Sequence, residues 1–108
     1  KMQDLDTEEA WVLLMNQRFR LIKPVKLSHG GLSETAVDVR VILREALLAN
    51  ATVLTLIHNH PSGNARPSAD DDRITKLKTA CETMRLYMVD HVIITDGAYY
   101  SYAEEGRI

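Results

Sequence analysis

Apolar residues along this chain come in short runs separated by polar turns. Trp11 to Met15 is a β-rich apolar run, "NQRF" is a polar turn, and "RLIKPVKLS" runs onward with Pro24 marking an edge or a bulge. This pattern predicts two strands. The stretch "HGGLSETAVD" reads as a connection with two glycines. A helix comes next, capped by Asp38, with Val39, Ile42, Leu43, Ala46 and Leu47 recurring at helical spacing. "ATVLTLI" is apolar on both faces and predicts a buried strand. A second helix is expected from near Ser68, with Ile74, Leu77, Cys81 and Met84 on its apolar face and Arg73, Lys76, Lys78 and Glu82 toward water. "YMVDHVIITDGAYYSYA" then reads as two strands around an Asp96-Gly97 turn. The order β-β-α-β-α-β-β predicts a mixed sheet with helices packed on it, an α/β or α+β domain.

With 108 residues and no repeat, low-complexity tract or long linker, the chain reads as one domain over 1–108. It does not begin with Met or a signal-like segment, and is expected to be processed or a piece of a longer chain. Hydrophobic residues at 45% and charged residues at 26% are ordinary for a globular protein. A net charge of −2 gives no overall reason to expect nucleic acid or an anionic membrane as partner, although a local basic patch stays open. No apolar run approaches the ~18 residues of a membrane span. The single cysteine, Cys81, excludes an internal disulfide framework and fits a reducing compartment, so a cytoplasmic location is expected. Any bound metal must then be held by histidines and carboxylates.

The chemistry concentrates in "LIHNHPSGNARPSADDD", Leu56 to Asp72. His58 and His60 are two apart, and residues two apart on a strand share a face. Both imidazoles can therefore reach one point off the strand end, as zinc ligands do. Asn59 points the other way and is expected, like Ser62, to set local geometry. Pro61, Gly63 and Pro67 turn the chain so that Asp71, in the first turn of the next helix, can return to the strand end. Three protein ligands with one open position is the arrangement of a catalytic zinc. Each half has a plainer reading. Ser68-x-x-Asp71 is also the spacing of a capping box, and three aspartates in a row suit the positive end of a helix. Histidines at strand ends are also common without a metal. The two halves together are more specific than either alone.

His58-x-His60, seven residues, then Ser68-x-x-Asp71 matches H-x-H-x7-S-x-x-D, the JAMM motif of the JAB/MPN metalloprotease-like superfamily. The wider text, "VDVRVILREALLANA", "HNHPSGNARPSADD", "ITKLKTA" and "VDHVIITDGAYYSYAEEG", resembles the RadC family, also labelled UPF0758 or DNA repair protein RadC, from Glu8 to Gly106. The resemblance implies a cytidine-deaminase-like α/β fold, a mixed sheet with flanking helices. It implies Zn2+ on His58, His60 and Asp71, an upstream glutamate as general acid/base, and Ser68 on the oxyanion of a tetrahedral intermediate. Setting Val12-Leu13 on the family's E-x-F-x-V-L places that glutamate at Glu8, with Glu9 as the alternative; Ala10 stands where an aromatic is usual, with Trp11 beside it. Only one of the two can face the metal, because strand side chains alternate. The implied activity is hydrolysis of an amide or isopeptide bond in a peptide or protein substrate. The rival is a non-catalytic repair accessory that binds DNA or a protein partner.

Other residues are weighed and set aside. Asp90-His91 reads as a hydrogen-bonded structural pair rather than a dyad. His29 reads as an exposed loop histidine and Cys81 as core. Arg18, Arg20, Lys23 and Lys26, with Phe19 among them, read as a solvated hairpin, with phosphate contact as the alternative.

Overall fold

The computed structural model describes residues 8–29 and 38–108, except for the side chains of Ser28, His29, Asp70, Arg73 and Ile74. The expected connection through the two glycines and the exposure of the His29 ring lie outside that description; the His29 backbone, expected in a loop, ends a strand. The elements are β1 (Glu9–Met15), β2 (Leu21–His29), α1 (Val39–Leu48), β3 (Val53–Asn59), α2 (Ala69–Thr75), α3 (Leu77–Thr83), β4 (Tyr87–Thr95) and β5 (Ala98–Ser101). They form a five-stranded sheet in the order β2-β1-β3-β4-β5. Every neighbouring pair is antiparallel except β3 and β4, which run parallel with α2 and α3 between them. This is the mixed α/β sheet that the sequence pattern predicts. Pro24 sits on β2, an edge strand, where a missing N–H is tolerated.

One face of the sheet carries the core. Ala10, Val12 and Leu14 of β1, Leu54 and Leu56 of β3 and Met88 of β4 pack with Ile42 and Ala46 of α1 and Leu77 and Cys81 of α3. On the other face Trp11, Leu13, Ile57 and Ile94 are half-buried.

The helices begin and end for local reasons. Asp38 stands in extended geometry before α1 and accepts from the Arg40 N–H at 2.9 Å. α1 closes with Asn50 at φ 55°, while the Ala51 N–H reaches Ala46 O and the Asn50 N–H reaches Leu47 O. α3 closes in the same way, with Arg85 at φ 58° and bonds from Leu86 N to Cys81 O and from Arg85 N to Glu82 O. Both are Schellman closures without glycine.

The expected second helix is in fact two. The Thr75 hydroxyl donates to Asp71 O at 2.9 Å, and α2 ends at that residue. A hydroxyl bonded back to the carbonyl four residues earlier competes with the helical N–H and bends the helix. Leu77 and Cys81 of α3 are buried, while Met84, its C-cap, is exposed, contrary to its expected place on the apolar face. Leu47 is likewise exposed on α1. Among the described residues no helix is long and apolar enough to cross a membrane.

Candidate metal centre

The register of β1 against β3 sets one end of the site. Ala10 lies opposite His58, so Ala10, Val12 and Leu14 share a face with His58, Leu56 and Leu54. By the same alternation Glu8, two before Ala10, belongs to the His58 face, and Glu9 to the face of Trp11. The contacts agree. Glu8 Oε1 lies 3.8 Å from His60 Nε2. Glu9 accepts from Trp11 Nε1 at 3.0 Å and pairs with Lys26 Nζ at 3.2 Å. Asn59 also points away from the histidine face: its Oδ1 accepts the Glu9 backbone N–H at 2.6 Å and fixes the start of β1.

His58, fully buried, and His60 bring their Nε2 atoms to 3.2 Å of each other. Asp71, delivered by the first turn of α2, places Oδ1 2.9 Å from His58 Nε2 and Oδ2 3.2 Å from His60 Nε2. Donors at ~2.0–2.1 Å from a tetrahedral zinc stand about 3.3 Å apart. The three atoms already have nearly that spacing, and two imidazoles with one carboxylate are a normal zinc donor set, so the residues fit a metal of this kind.

The capping reading of Ser68 is also realised. Its Oγ accepts the Asp71 N–H at 3.1 Å, and its own N–H donates to Asp71 Oδ2 at 2.7 Å. One carboxylate thus closes the helix end and faces both histidines. The Ser68 side chain is exposed, and the capping bond leaves its O–H as a donor. The Pro-Gly loop is held by its own polar groups. Gly63 N bonds to His60 O, Asn64 N to Ser62 Oγ, and Arg66 N to Asn64 Oδ1. His60 Nδ1 meets Asn64 O at 2.8 Å, and because a carbonyl only accepts, that nitrogen carries the proton and Nε2 is left to face the site.

His91 is the residue that sequence reasoning misplaced. The expected Asp90–His91 hydrogen bond forms, but from the His91 backbone N–H at 2.7 Å and not from its ring. A bulge in β4 lets Leu54 face Met88 and Leu56 face His91, with one extra residue between, so the ring of His91 turns to the core face. There its Nε2 lies 3.1 Å from His58 Nδ1, its Nδ1 meets Thr75 Oγ1, and it stacks on Tyr102 with centroids 4.6 Å apart. Asp90 stays behind: it accepts the His91 and Ala103 backbone N–H groups and the Ser101 hydroxyl. A motif search is blind to this, because an i to i+3 relation within a strand signals nothing unless the bulge is known.

Charge is strongly biased at the site. Burial raises the Asp71 carboxyl, but its contacts with His58, His60 and the Ser68 N–H outweigh burial and hold it well below the usual carboxylate range. The same Asp71 contact raises His60. Burial pushes His91 down to about 3, so its ring is neutral. Asp72 is not simply left to the helix end. It accepts from the Tyr102 hydroxyl at 2.8 Å and from Arg107 at 2.6 Å. A cleft of about 350 Å3 involves Asp72, Thr75, Tyr102 and Arg107 but none of the three converging residues, so it is not where a substrate would meet them.

Comparison with known proteins agrees with this geometry. The family model described as a RadC-like JAB domain matches residues 1–107. A UPF0758 protein of Porphyromonas gingivalis is 46% identical over 109 residues, covering 99% of this chain and 48% of its own. One from Flavobacterium johnsoniae is 46% identical over 104 residues, covering 95% and 45%. One from Coprothermobacter proteolyticus is 42% identical over 102 residues, covering 94% and 43%. The chain thus spans about half the length of the curated relatives it matches. With the sheet, the converging His58, His60 and Asp71 and a match along nearly its whole length, the chain belongs to the RadC-like JAB domain family.

Proposed function

We propose that this domain is a zinc-dependent hydrolase of JAMM type, acting on an amide or isopeptide bond of a peptide or protein. The observation that carries the reading is the convergence of His58, His60 and Asp71 on one point with the Glu8 carboxylate beside it. Zn2+ held by these three residues would supply a Lewis acid for a carbonyl oxygen and acidify water near neutrality. In this reading Glu8 takes a proton from the attacking water and returns it to the leaving amine. In this reading the Ser68 O–H, exposed beside Asp71, donates to the oxyanion as the carbonyl becomes tetrahedral. Asn59 holds the backbone next to Glu8, which limits where that carboxylate can go.

Metal analysis of protein purified without added metal tests the first half. The expected result is close to one zinc per chain, lost in His58→Ala; substoichiometric zinc that titration does not restore sinks the reading. The second half is tested with a panel of peptide and isopeptide substrates. Glu8→Gln keeps the metal and loses turnover by about 100-fold or more, whereas Glu9→Gln keeps both.

The rival reading, a nucleic-acid or repair-partner accessory, is favoured only by exposed Arg18, Phe19 and Arg20 at the β1–β2 turn, at the other end of the sheet. Binding to single- and double-stranded DNA across a salt series decides it; no binding at low salt removes it.

A further inference from the structure

We infer that His91 and Thr75 are positioning residues for the metal centre, forming a one-way hydrogen-bond relay that holds Nε2 of His58 toward the ligand point. The inference rests on the zinc reading above and adds two residues that lie outside its motif. Its direction is set by one atom. The Asp71 backbone carbonyl can only accept, so the Thr75 hydroxyl, 2.9 Å away, must donate to it. That hydroxyl has one proton, so toward His91 Thr75 Oγ1 is an acceptor and Nδ1 of His91 carries the hydrogen. A neutral imidazole protonated on Nδ1 has a bare Nε2, which then accepts from Nδ1–H of His58 at 3.1 Å. With its Nδ1 proton engaged, His58 keeps Nε2 bare for Zn2+ at the point it shares with Asp71 and His60. The relay starts on one ligand and ends on the backbone of another, so it ties the strand that bears His58 to the helix that bears Asp71.

Two further features show that the relay is built. The β4 bulge turns His91, not Asp90, to this face, and the His91 backbone N–H is taken up by the Asp90 side chain. Stacking on the buried Tyr102 fixes the plane of the His91 ring. The partner of a ligating histidine is commonly a carboxylate or a carbonyl. Here it is a neutral ring, which orients His58 without adding a second anion behind it.

The test has two readouts, neither of them turnover. Long-range 1H–15N correlation spectra of the Zn2+-loaded chain should show His91 protonated on Nδ1 and bare on Nε2; protonation of its Nε2 overturns the relay. Zn2+ affinity, measured by competition with a chromophoric chelator, should fall about 10–100-fold in His91→Leu and also fall in Thr75→Val, while Thr75→Ser retains it. Affinity equal to the parent in both His91→Leu and Thr75→Val overturns the proposal. Should His91→Leu fail to fold by circular dichroism, Thr75→Val and the parent spectra still decide it. A parent chain that takes up no Zn2+ overturns the metal reading and the relay with it, whereas a parent that binds Zn2+ while both variants match it overturns the relay alone.

Discussion

The helix-covered face of the sheet contains two regions of equal burial and opposite chemistry. In one, Leu14 faces Leu54 and Val12 faces Leu56, under Ile42, Ala46 and Cys81. One step further along the same strands, Ala10 faces His58, and His91 and Asp71 close over it. Leu54, Leu56, His58 and His91 are all at 0% exposure, so burial does not separate the regions. Partnership does. In the apolar half any well-packed side chain satisfies its surroundings. In the polar half each group is held by a named partner, because an unpaired buried polar group costs about 1–3 kcal/mol. Among the described residues the only buried side-chain polar atom without a partner is Thr52 Oγ1, just before β3 and at the opposite end of that strand from His58. The apolar half supplies stability, and the polar half converts some of it into a fixed arrangement of His58, His60 and Asp71.

Mutations should separate the two halves. The largest loss of stability is expected in the apolar half: Leu54→Ala should cost about 2–5 kcal/mol in urea denaturation, with zinc per folded chain unchanged. Asp71→Ala should cost less, about 1–3 kcal/mol, through its lost cap and histidine contacts, yet abolish zinc retention. If Leu54→Ala lost the metal and Asp71→Ala kept it, the division of labour would be wrong. Ser68→Ala removes the helix cap together with the proposed oxyanion donor, and should cost about 0.5–2 kcal/mol of stability with zinc retained. The smallest effect is expected at Cys81, whose thiol burial pushes up to about 11. At pH 8 the folded protein should resist alkylation by iodoacetamide, and the adduct should appear only as the chain unfolds.

The site was legible where its logic is local. The two-residue spacing of His58 and His60, the three-residue spacing of Ser68 and Asp71, and the Asp38 cap need only the periodicities of a strand and a helix. Glu8 was harder. Choosing between adjacent glutamates requires the pairing of Ala10 with His58, a contact between segments 48 residues apart that no local pattern encodes. His91 was invisible because a bulge cancels the alternation from which its face would be read. The split into α2 and α3 was missed because one threonine hydroxyl decides it, and the closures at Asn50 and Arg85 because neither has the glycine that usually announces one. Asp72 looked like part of an acidic run until Tyr102 and Arg107, far along the chain, came to it.

The β4 bulge also governs where this chain can change length. Losing a residue from an ordinary strand reverses every side chain beyond the cut, exchanging inside for outside. Between Met88 and His91 the ladder already carries one residue more than its partner, so deleting Val89 would bring β4 into step with β3. His91 would still face Leu56, and everything beyond it would keep its orientation. A deletion at Val92 would instead turn Ile93 outward and reverse the β4–β5 hairpin. Along this strand, tolerance of a shortened chain should therefore be confined to the two positions just before the histidine.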